Sequence, residues 1–302
     1  MLEVFFIARE MVSLAFKVVF KVDFRYSYSV GGNMIKLIAS DLDGTLLNSE
    51  HTTDSRILSA IDEVISKGVI FVVATGRSLQ GNQVEKLFGD REIYFISSNG
   101  ALIKNIERET IYEQPVCPKF ITDTLTNFPH MTFDFVGLND TWINCSQEDY
   151  RNSLDTLNHT PESIERFLHG KYYNQSLEEI LKHKIIKVNA KKREGDNFQK
   201  HIDRYEQVVN RPFSNTIYEI TDHKVNKAAA IKILCNHLGI QDDEVAVFGD
   251  GGNDIEMLSY YHNSYTVENG VENAKKVATH LLGPSDSYSV ITKIQELINH
   301  QD

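Results

Sequence analysis

The chain is short of cysteine, of unbroken apolar runs and of positive charge, and each shortage removes a class of reading. Its three cysteines, Cys117, Cys145 and Cys235, stand far apart and in no metal-like spacing. They are expected to be reduced, partly buried thiols of a cytoplasmic protein, with no catalytic role. No apolar stretch approaches the roughly 20 residues that a membrane span needs. Segments near the start such as "MVSLAFKVVF" are interrupted by Glu3, Arg9, Glu10, Lys17 and Lys21. The basic start, clean apolar core and small-residue cleavage site of a secretory signal are not evident either. A formal net charge of -11 argues against a general binder of nucleic acid or anionic membrane, since both surfaces would repel it. Any anion it takes must therefore meet a local positive site. His51, His223, His237 and His262 have no H-x-x-x-H or C-x-x-C partner, so they read as surface or core histidines, and the single Trp142 reads as packing.

What is present is an ordinary globular composition, 41% hydrophobic and 24% charged over 302 residues, enough for one large domain or two modest ones. "SVGGNMIKLIASD" offers a Gly-Gly joint and then Met34, directly before the first clear strand. The expectation is that Met34 begins the folded unit and that residues 1–33 are an extension outside it. From there short apolar strands alternate with amphipathic helices. Ile35 to Ala39 reads as a buried strand, and Ile57, Leu58, Ile61, Val64 and Ile65 recur at helical spacing until Gly68 stops them. A strand over Val69 to Ala74, a helix through Val84, Leu87 and Phe88, and the strand "IYFISS" follow. "SNGALI" then reads as a tight two-residue hairpin. Strands this continuously apolar mean a parallel sheet covered on both faces.

The middle of the chain changes character. "HMTFDFVG", "TWINCS", "HKIIKVNA", "YEQVVN" and "NTIYEIT" are half-polar strands separated by helix-like polar segments. That pattern predicts a separate α+β domain over residues 116–220, with a mostly antiparallel sheet. The strand-helix alternation then resumes with "NKAAAIKILCNHLG", "EVAVFGD" and "NDIEMLSYY", and ends in a helix around "VITKIQELI". The fold class is thus α/β: a parallel-sheet core, residues 34–115 and 221–302, split by an inserted α+β cap.

Ligands of a parallel α/β sheet sit beyond the carboxyl ends of its strands. Here those ends carry Asp41 and Asp43 in "IASDLDGTLL", Thr75 in "ATGRS", and Asp250, Asn253 and Asp254 in "GDGGND". Carboxylates gathered from separate strands repel one another unless a cation sits among them, and an oxygen-only set favours Mg²⁺. A phosphate fits the remaining pieces. Gly76 and Arg77 are placed at the start of a helix, where free N–H groups favour an anion, and the Thr75 hydroxyl adds a donor. Lys227 sits near a helix N-terminus, unfavourable for a cation by roughly 0.3–1 kcal/mol unless an anion is close. Taken alone, Lys227 would read as a solvated surface lysine and D-x-D as a turn. Their common placement at strand and helix ends is what favours a site.

In order, "DLDGTLL", "ATGRS", Lys227 and "GDGGND" resemble the four motifs of the haloacid dehalogenase-like hydrolase superfamily, and the cap between the second and third resembles its Cof-type branch, class IIB. The resemblance spans residues 34–302. It implies a Rossmann-like core, a mobile α/β cap, Mg²⁺ dependence and phosphatase activity on sugar phosphates or similar small metabolites. The segment "KVNKA" departs from the family's usual Gly-Val-Ser-Lys-Gly, and "SYTVENGVENAKK" matches a later family segment too loosely to assign a residue.

The mechanism expected from these residues has Asp41 attack phosphorus to give an aspartyl-phosphate. Asp43 protonates the leaving oxygen and then deprotonates the water that cleaves the intermediate. The metal set is Asp41, Asp43 (through its backbone carbonyl, as the family implies), Asp250 and Asp254, the last either a ligand or an orienting residue. Thr75, Lys227 and Asn253 hold phosphoryl oxygens, and Leu42 and Gly76 complete the substrate contacts. A phosphosugar mutase and a non-catalytic regulator that binds a phosphometabolite are the alternatives; a mere binder would need no second acid such as Asp43. The expected partner is a small phosphorylated metabolite, acting on a monomer or homodimer.

Overall fold

Two sheets organise residues 34–48, 50–154, 161–212 and 216–299, the part of the chain that the computed structural model describes. Residues 1–33, read above as an extension, lie outside the described residues. Strands β1 (Leu37–Ser40), β2 (Ile70–Ala74), β3 (Tyr94–Ser97), β4 (Leu102–Lys104) and β5 (Thr110–Glu113) begin the larger sheet. The chain then builds the smaller sheet from β6 (Phe133–Val136), β7 (Thr141–Ile143), β8 (Lys171–Tyr172), β9 (Lys187–Lys191), β10 (Val208–Asn210) and β11 (Ile217–Asp222). It returns to the larger one with β12 (Val245–Phe248), β13 (Asn263–Val267) and β14 (His280–Leu282).

The larger sheet runs β14-β13-β12-β1-β2-β3-β4-β5. It is parallel from β14 to β3 and antiparallel over β4 and β5. Its central strands are buried on both faces, as their unbroken apolar sequence requires. Ile38, Phe71, Val73 and Phe95 face the Ser55–Ser66 and Ser289–Asn299 helices through Ile57, Ile61, Val64, Ile291 and Ile294. Their neighbours Leu37, Ala39, Ile70, Val72 and Ala74 face the Lys227–Leu238 helix through Ile231, Leu234 and Cys235. The Ser55–Ser66 helix starts where the Asp54 side chain accepts the Ile57 N–H at 2.9 Å and ends at Lys67 before Gly68, whose φ is +74°. Cutting Ile61 back to alanine in this packed layer would cost about 2–5 kcal/mol.

The smaller sheet, β10-β11-β9-β6-β7-β8, is antiparallel apart from β7 against β8. Phe133, Phe135, Trp142, Val188, Tyr218 and Ile220 line its apolar face and pack on Phe120, Ile121, Phe198 and Ile202. Most side chains alternating with them are polar, Asp134, Thr141, Lys187, Asn189, Glu219 and Thr221, with the apolar Val136 and Ile143 among them. Trp142 is a packing residue, stacked on His183 at 3.9 Å.

Three local expectations are corrected. Val84, Leu87 and Phe88 do not lie on a helix, because Gly81 takes a φ of +62° and leaves only short 3₁₀ turns, Gln80–Asn82 and Glu85–Leu87. "SNGALI" is not a two-residue hairpin: Ser97 pairs with Leu102, and a 3₁₀ turn over Ser98–Gly100 fills the gap. Gly76 and Arg77 occupy a bend, so no helix terminus offers its N–H groups there. Strand β13 carries no unbroken apolar signal in the sequence, because its buried positions include the hydroxyls of Ser264 and Thr266 in place of apolar side chains. No helix among the described residues is long and apolar enough to cross a membrane.

Candidate active site

Asp41 ends β1 at the centre of the larger sheet, and its N–H donates to the Phe248 carbonyl of β12 at 2.9 Å. That pairing sets it beside "GDGGND", which leaves β12. The donor atoms of Asp41, Asp250 and Asp254 lie within 4.8 Å of one another. Lys227 lies fully buried at the start of its helix, where Asn226 caps the Ala229 N–H at 2.8 Å. Its Nζ donates to Asp41 Oδ1 and to Asp254 Oδ1, both at 2.6 Å. The surface-lysine reading of Lys227 therefore fails.

One lysine does not balance three carboxylates. Burial, partly offset by the Lys227 charge, pushes the Asp41 carboxyl well above its ordinary value. Burial and then the charge of Asp254 push Asp250 up to about 6. Burial alone would lower the Lys227 ammonium, but Asp254 and Asp41 outweigh it and hold the proton more firmly than usual. A cluster that resists ionisation this way fits a divalent cation, and its donors are all oxygen.

Local geometry shapes each carboxylate separately. Thr45 Oγ1 donates to Asp250 Oδ1 at 2.8 Å. Gly44, at φ +79°, lies so near that a Cβ there would come 2.5 Å from Asp250 Oδ2, so only glycine fits. The Asp254 Oδ2 accepts the N–H groups of Asp250 and Gly251 at 3.0 and 2.8 Å. Both Asp254 oxygens are thus engaged within the protein.

Asp43 faces elsewhere and is not in this convergent group. Arg77 grips both of its oxygens, Nε reaching Oδ2 at 2.7 Å and Nη2 reaching Oδ1, while His51 Nδ1 lies 2.8 Å from Oδ1. Burial would raise the Asp43 carboxyl, but the Arg77 hydrogen bonds and charge, aided by His51, hold it below its ordinary value. Thr75 is buried, and its Oγ1 accepts the Arg77 N–H at 3.0 Å. Asn253 Nδ2 donates to Asn99 Oδ1 at 2.9 Å, next to Gly76. Leu42 is buried and opens the turn after Asp41, its carbonyl accepting the Leu47 N–H at 2.9 Å.

Several contributors were not read from the sequence. Nothing in "ATGRS" shows that Arg77 reaches Asp43, and His51 has no partner close in sequence to mark it. Asn269 donates to the Gly44 carbonyl at 2.8 Å, and Val271 N–H donates to the Asp250 carbonyl at 2.8 Å, so "NGV" braces the loops of Gly44 and Asp250. From the smaller sheet, the buried Lys187 donates to the Gly76 carbonyl and to Glu219 Oε1, both at 2.8 Å. Gln80 makes a second link, accepting from Thr141 Oγ1 at 2.7 Å and donating to the Gly170 carbonyl.

Comparison with known proteins agrees with this geometry. A sequence model of the haloacid dehalogenase-like hydrolases matches residues 38–294. The chain is similar to the putative phosphatase YxeH of Bacillus subtilis, 26% identical over 284 residues that cover 88% of this chain and 99% of that one. It is equally similar, 26% over 273 residues, to the 5-amino-6-(5-phospho-D-ribitylamino)uracil phosphatase YbjI of Escherichia coli, covering 88% and 97%. Its fold matches that of the subclass IIB sugar phosphatase BT4131 with a TM-score of 0.71 at 22% identity, over 86% of this chain and 98% of that one. The chain belongs to the haloacid dehalogenase-like hydrolase family and is a phosphoric monoester hydrolase.

Proposed function

We propose that the protein is a Mg²⁺-dependent phosphatase of small phosphorylated metabolites that works through an aspartyl-phosphate on Asp41. Residues 34–115 and 221–302 form its catalytic core, and residues 116–220 its cap. The observation that carries this reading is the division of labour at the end of β1. Asp41 lies within the Lys227, Asp250 and Asp254 cluster, while Asp43, two residues on, is held outside it by Arg77.

An Asp41 oxygen attacks phosphorus, the ester P–O bond breaks, and Asp43 gives its proton to the departing oxygen. Water then attacks the phosphoryl group with Asp43 taking its proton, which releases inorganic phosphate and the Asp41 carboxylate. Asp43 is held ionised by Arg77, the state its second role requires, so it must take up a proton and loosen from Arg77 before the first. Asp41 and Asp250, with the Asp43 carbonyl that the family resemblance implies, would hold Mg²⁺, which supplies positive charge against the phosphoryl oxygens. Asp254 orients Lys227 and the Asp250 loop. Lys227, Thr75 and Asn253 bind phosphoryl oxygens, and Leu42 and Gly76 complete that pocket.

The polar face of the smaller sheet favours a leaving group rich in hydroxyls, since Lys187 reaches Gly76 from it and Glu219, Asn189 and Asp134 lie on the same side. Sugar and polyol phosphates meet that description, and the Escherichia coli relative is named for a phosphoribityl substrate. The test is a phosphate-release screen across phosphorylated sugars, polyols, nucleotides and amino acids, with Mg²⁺ and with EDTA. Release from sugar or polyol phosphates that EDTA abolishes supports the reading. Undiminished release from a metal-free sample refutes the metal's part in it.

A further inference from the structure

The end of β3 carries polar atoms that the mechanism above does not use. Ser97 Oγ, Ser98 Oγ and Asn99 Nδ2 are buried and have no hydrogen-bond partner among the described residues. They fall on successive residues at the end of β3, beside β2, which leads into Thr75. Buried donors are nearly always satisfied, so a run of three without partners points to a missing acceptor.

The backbone there is strained in the same place. Ser98, Asn99 and Gly100 have φ values of 49°, 60° and 109°. Two consecutive non-glycine residues in this region persist only where their surroundings impose it. The Ser98 N–H donates to the Arg77 carbonyl at 3.0 Å and the Asn99 N–H to the Thr75 carbonyl at 3.1 Å. On the other side, a Cβ on Gly100 would come 2.5 Å from the carbonyl oxygen of Asn226, the residue before Lys227. The turn is thus wedged between the loop of Thr75 and the start of the Lys227 helix.

The Asn99 side chain completes the junction. It is 2% exposed, and its Oδ1 accepts from Asn253 Nδ2 at 2.9 Å. A Cβ on Gly76 would lie 2.9 Å from that same Oδ1 and 3.3 Å from Asn253 Nδ2. Glycine would adopt φ near +60° at lower cost, so the amide here has work beyond holding the turn.

We infer that Asn99 is an oxyanion-binding residue of this site, paired with Asn253. Its Oδ1 takes one N–H of the Asn253 amide and so fixes the direction of the other. Its own Nδ2 donates to an oxygen of the bound phosphoryl group, the acceptor that the described residues do not provide. The inference rests on the proposed reading that the site binds a phosphoryl group.

The test uses inorganic phosphate as the probe, with Mg²⁺ present, on the full chain. Asn99→Gly suits the positive φ, so it removes the amide while keeping the turn. It is expected to weaken phosphate binding, measured by calorimetry, and to lower kcat/KM by about ten- to a hundredfold, the scale of one hydrogen bond to a charged group. Asn99→Asp keeps the shape but repels the anion, and should lose more. In the Asn99→Gly, Asn253→Ala pair the two losses should not multiply, because each residue works through the other. Unchanged phosphate affinity and kcat/KM in Asn99→Gly, or fully multiplicative losses, would overturn the inference while leaving the phosphatase reading intact. A wild-type protein that neither binds phosphate nor hydrolyses any monoester would overturn that reading and this inference with it.

Discussion

The two sheets place their chemistry by different rules. In the larger sheet β1, β2 and β12 are apolar on both faces, and reactive groups occur only where the strands end: Asp41, Thr75 and Asp250. In the smaller sheet one face is apolar, while on the other the charged groups Asp134 and Glu219 stand within their strands and Lys187 opens β9. A strand buried on both sides can tolerate a charge only at its exit. A half-covered strand can carry one at every second position. The first arrangement concentrates function in contiguous motifs, whereas the second spreads it across strands far apart in sequence.

The comparison is broken most severely at the strand ends of the larger sheet. Asp41→Asn keeps the shape of the side chain but removes the proposed nucleophile, and turnover should fall by a factor on the order of 10⁴ or more in a phosphate-release assay. Asp250→Ala should instead respond to metal, with activity partly restored at high Mg²⁺, because in the proposed mechanism the lost group serves the ion more than the ester. Equal, metal-insensitive losses in both variants would mean that the two carboxylates do not divide the work as described.

In the smaller sheet the expected effects are of stability as well as rate. Lys187→Met leaves Glu219 buried without this partner at 2.8 Å, and loss of one member of a buried pair costs about 3–5 kcal/mol. Replacing both, Lys187→Met with Glu219→Leu, should recover most of that loss in denaturant titrations, since an apolar pair avoids the desolvation of charge. The double variant would still lack the contact to the Gly76 carbonyl. It should therefore stay impaired on a sugar phosphate, chiefly in KM. Full activity in a stable double variant would show that the polar face does not serve the site.

The smallest effect concerns the apolar side of that sheet. His201 is buried among Phe120, Phe128, Phe198 and Tyr205, with its Nε2 3.2 Å from Thr124 Oγ1. Burial, with the nearby Arg204 charge, holds the imidazole below its ordinary value. The unfolded chain takes up this proton near pH 6.5. Between that pH and the lower folded value the unfolded state binds more protons, so the stability contribution, full above pH 6.5, is lost as pH falls. Melting temperature should drop on acidification from pH 7.5 to 5, and the drop should shrink in His201→Phe. An identical drop in the variant would assign the acid sensitivity to other groups.

How much could be read from the sequence follows the same division. Asp41, Asp43, Thr75, Lys227, Asp250, Asn253 and Asp254 stood out because turn residues and strand ends are local signals. The structure gathers Asp41 and Lys227 although 186 positions separate them. The larger sheet was legible for the same reason, since continuous apolar runs announce a parallel core. Asn99, Asn269 and Lys187 were not legible. Each works through a partner in another segment, and nothing beside Lys187 in "HKIIKVNA" shows that its ammonium reaches Gly76. The segment after Arg77 reads as helical from its sequence, whereas Gly81 turns the chain and the guanidinium binds Asp43.

The central claim is that Asp41 and Asp43, alike in chemistry, do different jobs. In Asp43→Asn the proposed nucleophile remains but the proposed proton shuttle is gone, a loss worth about 10²–10⁴ in rate. An aryl phosphate, whose leaving group needs little protonation, should still phosphorylate Asp41, and hydrolysis of the intermediate should then stall for want of a base. Rapid mixing of Asp43→Asn with an aryl phosphate, followed by acid quench and peptide mass spectrometry, is predicted to show a burst of aryl alcohol and a phosphoryl group on Asp41. No burst and no phosphorylated Asp41, with equal losses on aryl and sugar phosphates, would contradict the account.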